Sequence, residues 1–358
     1  MKKYLLIGLF LLGLFIYPIK AISGNTPEEL YESLQKRLAS GWNTWDTRSV
    51  LTHVFLPYGF AVDLNMMDTD GSRVRKFRIG DRAKGAPLLQ PGPHSFDGAY
   101  TKMTIDWKGY KLQVESAAMG LKNVILIRPL AETKKGGRLV VIPESLWKRG
   151  NTLSVDSLGF TLASRDKVVE IKTYIEGELL EKKGREFILS LDTPVAICCG
   201  ENMELDEAIA FINDRARDFI NSNQKQFGEN YDCYNAMQSV LAWDNIYDPG
   251  IRRVITPVSR IWSSEWFASE DFGGFTLFCW DTYFASMMLS VGNKELAYAN
   301  AVEITKAITE SGFVPNCFYS NNFKSRDRSQ PPVGSLAVWT IYKPVSYTHL
   351  TLPTKLEV

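Results

Sequence analysis

Two short stretches of this chain hold residues whose types and order suit one kind of chemistry. The first is Trp280-Asp281-Thr282-Tyr283-Phe284, and the second is Arg328-Ser329-Gln330-Pro331-Pro332. Together they supply an aromatic plate, a carboxylate, an amide and a guanidinium near the ends of helices. A pyranose ring asks for that mixture: a flat apolar surface to lie on, and planar polar groups to bond its hydroxyls. Arg328 is the leading candidate, because its fork can form two parallel hydrogen bonds to neighbouring hydroxyls or fix a carboxylate. Gln330 is the second. Each residue also has a plainer role open to it. Asp281 could cap a helix, Trp280 could fill a core, Tyr283 and Phe284 could pack between helices, and Arg328 could be one surface charge in the run from Lys324.

The pair of motifs resembles the substrate-binding elements of inverting α-glycosidases built on an (α/α)6 barrel: glycoside hydrolase family 63, the mannosylglycerate-hydrolase-like enzymes and, more distantly, the trehalases. The resemblance spans roughly Tyr231 to Lys343, and more loosely Gly41 to Gly59. It implies that Trp280, Asp281, Arg328 and Gln330 line a sugar pocket. It adds Asn316, in Val314-Pro315-Asn316, as an amide that binds substrate; an Asn in a loop is otherwise a turn residue. Trp243-Asp244-Asn245-Ile246-Tyr247-Asp248-Pro249 and Pro257 to Trp262 resemble a loop that opens the pocket, which makes Trp262 and Trp266 candidate stacking platforms. Gly41-Trp42-Asn43-Thr44-Trp45 is a candidate for a loop lent by a neighbouring domain. Trehalases carry an Arg shortly before the Trp-Asp pair; here that stretch reads Phe272-Gly273-Gly274-Phe275, which favours the family 63-like branch.

Inversion at an anomeric carbon needs two carboxyl groups on opposite faces of the sugar, one to protonate the leaving oxygen and one to activate water. The relatives place the acid in an E-S-G-x-D motif and the base further on. Glu310-Ser311-Gly312 continues into Phe313-Val314 and precedes the Arg328 motif, so it reads as a helix terminus. The expectation is a parent enzyme that hydrolyses α-glucosides, α-mannosides or small glycosides, with both catalytic groups beyond this chain and the chain itself inactive. A non-catalytic carbohydrate-binding protein, or a polysaccharide lyase on an (α/α) toroid, is the alternative; the shortage of His speaks mildly against the lyase.

The elements that must position these residues change character once. From Ser49 to Cys199 the pattern is that of short strands rich in Val, Ile, Thr and Tyr and separated by Gly, Pro, Asp or Asn. They include Val50 to Leu56, Phe60 to Leu64, Thr101 to Trp107, Leu112 to Ser116, Asn123 to Pro129, Arg138 to Ile142, Val168 to Glu176, Glu186 to Leu191 and Pro194 to Cys199. Strands at this spacing predict an antiparallel β-sandwich. A short amphipathic helix, Pro27 to Ala39, precedes it, with Thr26 as N-cap and Glu29 three residues on. From Glu204 the period becomes helical. Leu205, Ile209, Ile212 and Ala216 mark a linker helix. Helices follow at Tyr231 to Ile246, at Trp280 to Ser290, at Lys294 to Glu310 with Ala297, Ala301, Ile304 and Ile308 inward, and after Pro331-Pro332. The fold class is therefore a multidomain β + α chain, an N-terminal antiparallel β-sandwich followed by part of an (α/α)6 barrel; the ring itself is what the resemblance implies.

The domain reading is a signal peptide at 1–21, a helix and sandwich at 22–203, a linker helix at 204–228, a partial barrel at 229–343, and a tail at 344–358 that looks adaptor-derived instead of native. Lys2 and Lys3, the apolar run from Tyr4 to Tyr17, Pro18 and Ala21 compose the signal peptide. That run is short for a membrane span, so a periplasmic or secreted protein with no stable membrane anchor after cleavage is expected. The net charge of +1, with no basic stripe, points away from nucleic acid; the resemblance implies an oligosaccharide or small glycoside as partner. Five cysteines without regular spacing make no disulfide framework. His53, His94 and His349 lie at no ligand spacing, so neither a metal nor any other cofactor is expected.

Overall fold

The computed structural model describes residues 26–260, 274–320 and 322–343. The proposed signal peptide, the proposed tail, Trp262 and Trp266 lie outside them. Helix α1 (Pro27–Leu38) begins as its sequence predicts. Thr26 Oγ1 accepts the Glu29 N–H at 3.2 Å and the Glu29 carboxylate accepts the Thr26 N–H at 2.7 Å, so two of the donors orphaned at a helix start are satisfied reciprocally.

Fifteen strands follow. The first five are β1 (Gly41–Asn43), β2 (Thr52–Leu56), β3 (Phe60–Met67), β4 (Arg73–Val74) and β5 (Leu88–His94). Next come β6 (Tyr100–Trp107), β7 (Tyr110–Met119), β8 (Lys122–Pro129), β9 (Arg138–Ser145) and β10 (Thr152–Val155). The last are β11 (Gly159–Ala163), β12 (Glu170–Glu176), β13 (Leu179–Lys183), β14 (Glu186–Ser190) and β15 (Val195–Cys199). They pair antiparallel in two sheets. One has the order β1-β2-β3-β9-β14-β13 with β4 beside β3, and the other β10-β11-β12-β15-β8-β7-β6-β5. Side chains alternate across a strand. On β3, Phe60, Val62 and Leu64 enter the core between the sheets, while Ala61 enters a second core on the other face. On β8, Ile125 and Ile127 face the first core, and Val124 and Leu126 face a third. Both sheets are therefore covered on parts of both faces, which is why β2 and β15 are buried at every position. Gly159 lets β11 meet β12: a Cβ there would stand 1.9 Å from the Thr173 carbonyl oxygen.

Helix α2 (Leu205–Phe227) lies within the expected 204–228 and packs along the sandwich. Its Ala208 and Ile212 pack with Tyr100, Ala117, Val124, Leu126, Ala196 and Cys198 on the outer face of the second sheet. After it come α3 (Tyr231–Asp244), a hairpin of β16 (Ile246–Asp248) and β17 (Arg253–Ile255), and then β18 (Thr276–Phe278). Helices α4 (Cys279–Gly292) and α5 (Lys294–Lys306), β19 (Cys317–Tyr319) and α6 (Gly334–Tyr342) complete the described chain.

Three expectations need correcting. Helix α5 stops at Lys306, where Ala307 turns back on Ile304 and Thr305, so Ile308 is exposed instead of inward. The turn from Thr309 to Gly312, with Gly312 at φ +88°, comes after the helix and does not cap it. Pro331-Pro332 precede α6 without starting it; Val333 is the N-cap.

The sandwich and the helices share one core. Val54, Leu56 and Ala61 of the first sheet pack with Ala39 and Trp45, with Leu241 and Ala242 of α3, with Ala285 and Leu289 of α4, and with Ala297 and Ala301 of α5. Trp243, at the end of α3, reaches into the space between the sheets and donates its Nε1–H to the Gly92 carbonyl at 2.8 Å. Helix α1 is tied down by polar contacts as well. Tyr31 Oη donates to Glu303 at 2.6 Å, and Arg253 bonds Glu32 (Nη1–Oε2 3.0 Å) and Glu303 (Nε–Oε1 3.2 Å).

Candidate functional site

A two-stranded ladder brings the two sequence motifs together. β18 pairs with β19 so that Phe278 stands opposite Cys317. The next rungs extend it: Cys279 N–H donates to the Asn316 carbonyl at 3.1 Å, and Asn316 N–H donates to the Arg328 carbonyl at 3.0 Å. Ser329 Oγ donates to the Val314 carbonyl at 2.6 Å. The backbone of 328–330 is thereby laid against the start of α4.

Gln330 then closes the gap. Its Oε1 accepts the Trp280 N–H at 2.8 Å, and its Nε2 approaches Asp281 Oδ2 at 3.5 Å. The first four N–H groups of a helix have no partner within it, and the N-cap residue Phe278 has no side-chain acceptor to offer. Gln330 does that work from another loop. Asp281 is therefore not the N-cap; it lies in the first turn, half-buried, where its charge suits the positive end of the helix dipole. Four of the residues chosen from sequence, Trp280, Asp281, Asn316 and Gln330, are joined within one hydrogen-bonded unit.

Trp280 is 38 % exposed and lies beside Phe284, ring centroids 6.2 Å apart. Phe284 and Met288 are exposed too, one and two helical turns on. Phe284 is thus part of an open aromatic stripe and not of the packing between helices, whereas Tyr283 is buried and bonds Thr305 at 2.9 Å. Arg328 shares the backbone unit, but its guanidinium pairs with the adjacent Asp327, and both side chains are more than half exposed. Its fork is held on the surface by a weak contact of a kind that contributes little.

The region from Gly41 to Trp45 does not face a cleft. Trp42 is buried in the sandwich core and Trp45 in the shared core, with Asn43 and Thr44 also covered. The loop around Trp243 is equally internal. What it forms was not read from sequence: a buried polar seam between the sandwich and the helices. Arg260 Nη2 donates to the Thr44 carbonyl at 2.6 Å and Nη1 to the Asp46 carbonyl at 3.3 Å, while its backbone N–H donates to Asp244 Oδ1 at 3.1 Å. Burial pushes the Asp244 carboxyl up to about 6 and the Arg260 guanidinium down to about 10. The repetition of Trp-Asp at 45–46 and 243–244 is the sequence signal that could have drawn attention to this seam.

His94 lines the same region. Its Nδ1 lies 2.6 Å from the Ser95 carbonyl, which can only accept, so Nδ1 carries the proton. Nε2 then accepts from Thr44 Oγ1 at 2.9 Å. Burial holds both His94 and His53 down to about 3, so each is neutral at physiological pH. Cys198 and Cys199 are buried thiols, pushed up to about 12 by burial. Among the described residues no group of three or more His, Cys, Asp or Glu stands ready for a metal ion, and no helix is long and apolar enough to cross a membrane.

No family model matches the chain, and no curated protein matches it in sequence. Among solved structures it is similar to a bacterial glucoamylase complexed with acarbose, at 11 % identity and a TM-score of 0.35, over 77 % of this chain. The chain spans about half of that protein's length, 51 %.

Proposed function

We propose that this chain belongs to an exported inverting α-glycosidase of the family 63-like kind, and that the unit built on α4 forms part of its innermost sugar subsite. The observation that carries the reading is the Gln330 bridge. It joins Trp280 and Asp281 to the Arg328 loop and leaves an exposed indole beside a half-buried carboxylate, the pairing a pyranose needs. Helices α3 to α6 are then members of an (α/α)6 ring.

On this reading Trp280 stacks on the ring, Asp281 accepts from a hydroxyl, and Asn316 and Arg328 complete the subsite. Arg328 must swing from Asp327 to do so, a small demand for an exposed pair. The subsite supplies no acid and base pair. Inversion requires both, so this unit by itself binds sugar without turning it over.

Titrating the chain with maltose and with acarbose while following tryptophan fluorescence tests the binding. A saturable change that is lost in Trp280→Ala and weakened about tenfold in Asp281→Asn, on the scale of one lost hydrogen bond to a charged group, is the expected result. Absence of any saturable change removes the reading. A clear rate of hydrolysis of an aryl α-glucoside would show that the catalytic pair has been misplaced.

A further inference from the structure

A cleft of about 800 Å³ opens where α1, the turn of the β16–β17 hairpin and three loops at one end of the sandwich meet. It shares no residue with the Trp280 unit. Lys36, Arg149, Arg165 and Arg252 line it, against two acids, Glu32 and Asp166. Both acids already serve protein donors: Glu32 binds Arg253 (Nη1–Oε2 3.0 Å), and Asp166 accepts from Ser164 Oγ at 2.5 Å and from Val168 N at 3.2 Å. Four cations against two acids leave an excess of two positive charges in one recess, in a chain whose formal net charge is only +1.

The cations are not all loose surface groups. Arg149 is anchored by Nη2 donating to the Pro249 carbonyl at 3.0 Å, and its Nε is buried with no protein partner. The donors left for a ligand in the cleft are those at the end of the fork, at Nη1 and the second hydrogen of Nη2. Arg252 sits at φ +57° in the hairpin turn, a left-handed conformation that glycine adopts freely and a bulky side chain resists. The walls are not purely ionic either. Tyr58 is half-buried and stacks on Phe55 and Phe60, with centroids 5.9 and 5.7 Å away, and Asn151 Nδ2 fixes its loop by donating to the Tyr58 carbonyl at 2.7 Å. The volume exceeds what a lone inorganic ion fills and suits a small organic body. A smaller recess on the first sheet is also rich in arginine. Its Arg48 and Arg73, however, are engaged by Asp46, Glu144 and Glu186.

We propose that this cleft binds a small organic molecule bearing an oxyanion, a phosphate ester or a carboxylate on a body about the size of one sugar. The anion sits among Arg149, Arg165, Arg252 and Lys36, and the organic part lies towards Tyr58. The site is separate from the neutral-sugar subsite, so either can fail alone.

Calorimetric titration of the full chain at low ionic strength tests it, with glucose 6-phosphate, glucuronate and neutral glucose as probes. Binding of at least one of the two anions, with glucose lacking that effect and added salt weakening the interaction, is the expected result; whichever anion binds names the source. The double variant Lys36→Glu with Arg252→Glu is expected to weaken it by at least about tenfold, as reversal of two neighbouring charges should. Lys225→Glu, at the far end of α2, leaves it unchanged. If the double variant fails to fold by circular dichroism, Arg165→Gln, on an exposed loop, replaces it and weakens binding a few-fold. Failure of both anions to bind, an equal loss in Lys225→Glu, or no effect of the cleft variants overturns the proposal.

Discussion

At the scale of single residues, Gln330 and the buried histidines carry the clearest consequences. Replacing Gln330 by Ala removes an acceptor from the first turn of α4. Loss of a capping acceptor costs about 1 kcal/mol, so urea unfolding should shift by about that amount. Any sugar response should weaken as well, because Trp280 and Asp281 lose their tie to the Arg328 loop. Between pH 6.5 and 4 the pH dependence is dominated by four buried groups with large shifts. His53 and His94 are held at about 3, well below an ordinary imidazole. Their contribution is present above pH 6.5 and is lost as pH falls, since the unfolded chain takes up two more protons. Asp63 and Asp244 are raised to about 6 by burial. For them the folded chain holds two more protons between about pH 4 and 6, which favours folding as pH falls. The two pairs oppose each other across that window. Stability should stay nearly flat from pH 6 to 4 and fall below it, where the unfolded chain protonates Asp68 while Lys134 and Tyr110 keep that carboxylate ionised in the folded one. In Asp244→Asn one compensating group is gone, so the urea midpoint should decline from about pH 6 downward.

At the scale of elements, Trp243 decides how the two parts are joined. Trp243→Ala empties a site between the sheets and strands the Gly92 carbonyl, and should cost about 3–5 kcal/mol in denaturant unfolding. Leu289→Ala, in the shared core, falls in the range of about 2–5 kcal/mol. Much of this architecture was legible in the sequence. Strands such as Tyr100–Trp107 and Lys122–Pro129 announce themselves by β-branched and aromatic content between turn residues, and Thr26 with Glu29 announces α1. Two missed strands show where that legibility ends. β5 contains Pro91 and Pro93 and survives because it is an edge strand with an interrupted register. β13 is exposed along its whole length at the opposite sheet's edge, so no apolar alternation marks it. The motifs at 280–284 and 328–332 were found from residue type. Their coupling through Gln330 was not, since that depends on the β18–β19 pairing across a separation in sequence that local pattern cannot span.

At the scale of the whole molecule, one apolar core serves sandwich, α1 and helices together, so heat or denaturant should melt them in a single transition, with tryptophan fluorescence and far-ultraviolet dichroism coinciding. The open stripe of Trp280, Phe284 and Met288, with Leu336 and Trp339 exposed on α6, should bind a hydrophobic dye. Phe284→Ser with Trp339→Ser should reduce that fluorescence without lowering the melting midpoint much. The common core has one more consequence, for anyone who divides the gene. A β-half expressed by itself would bare the wall of Val54, Leu56 and Ala61, and a helical half would bare Leu241, Ala285 and Leu289. Neither product would be a soluble module, and proteases would shred both before they could be purified.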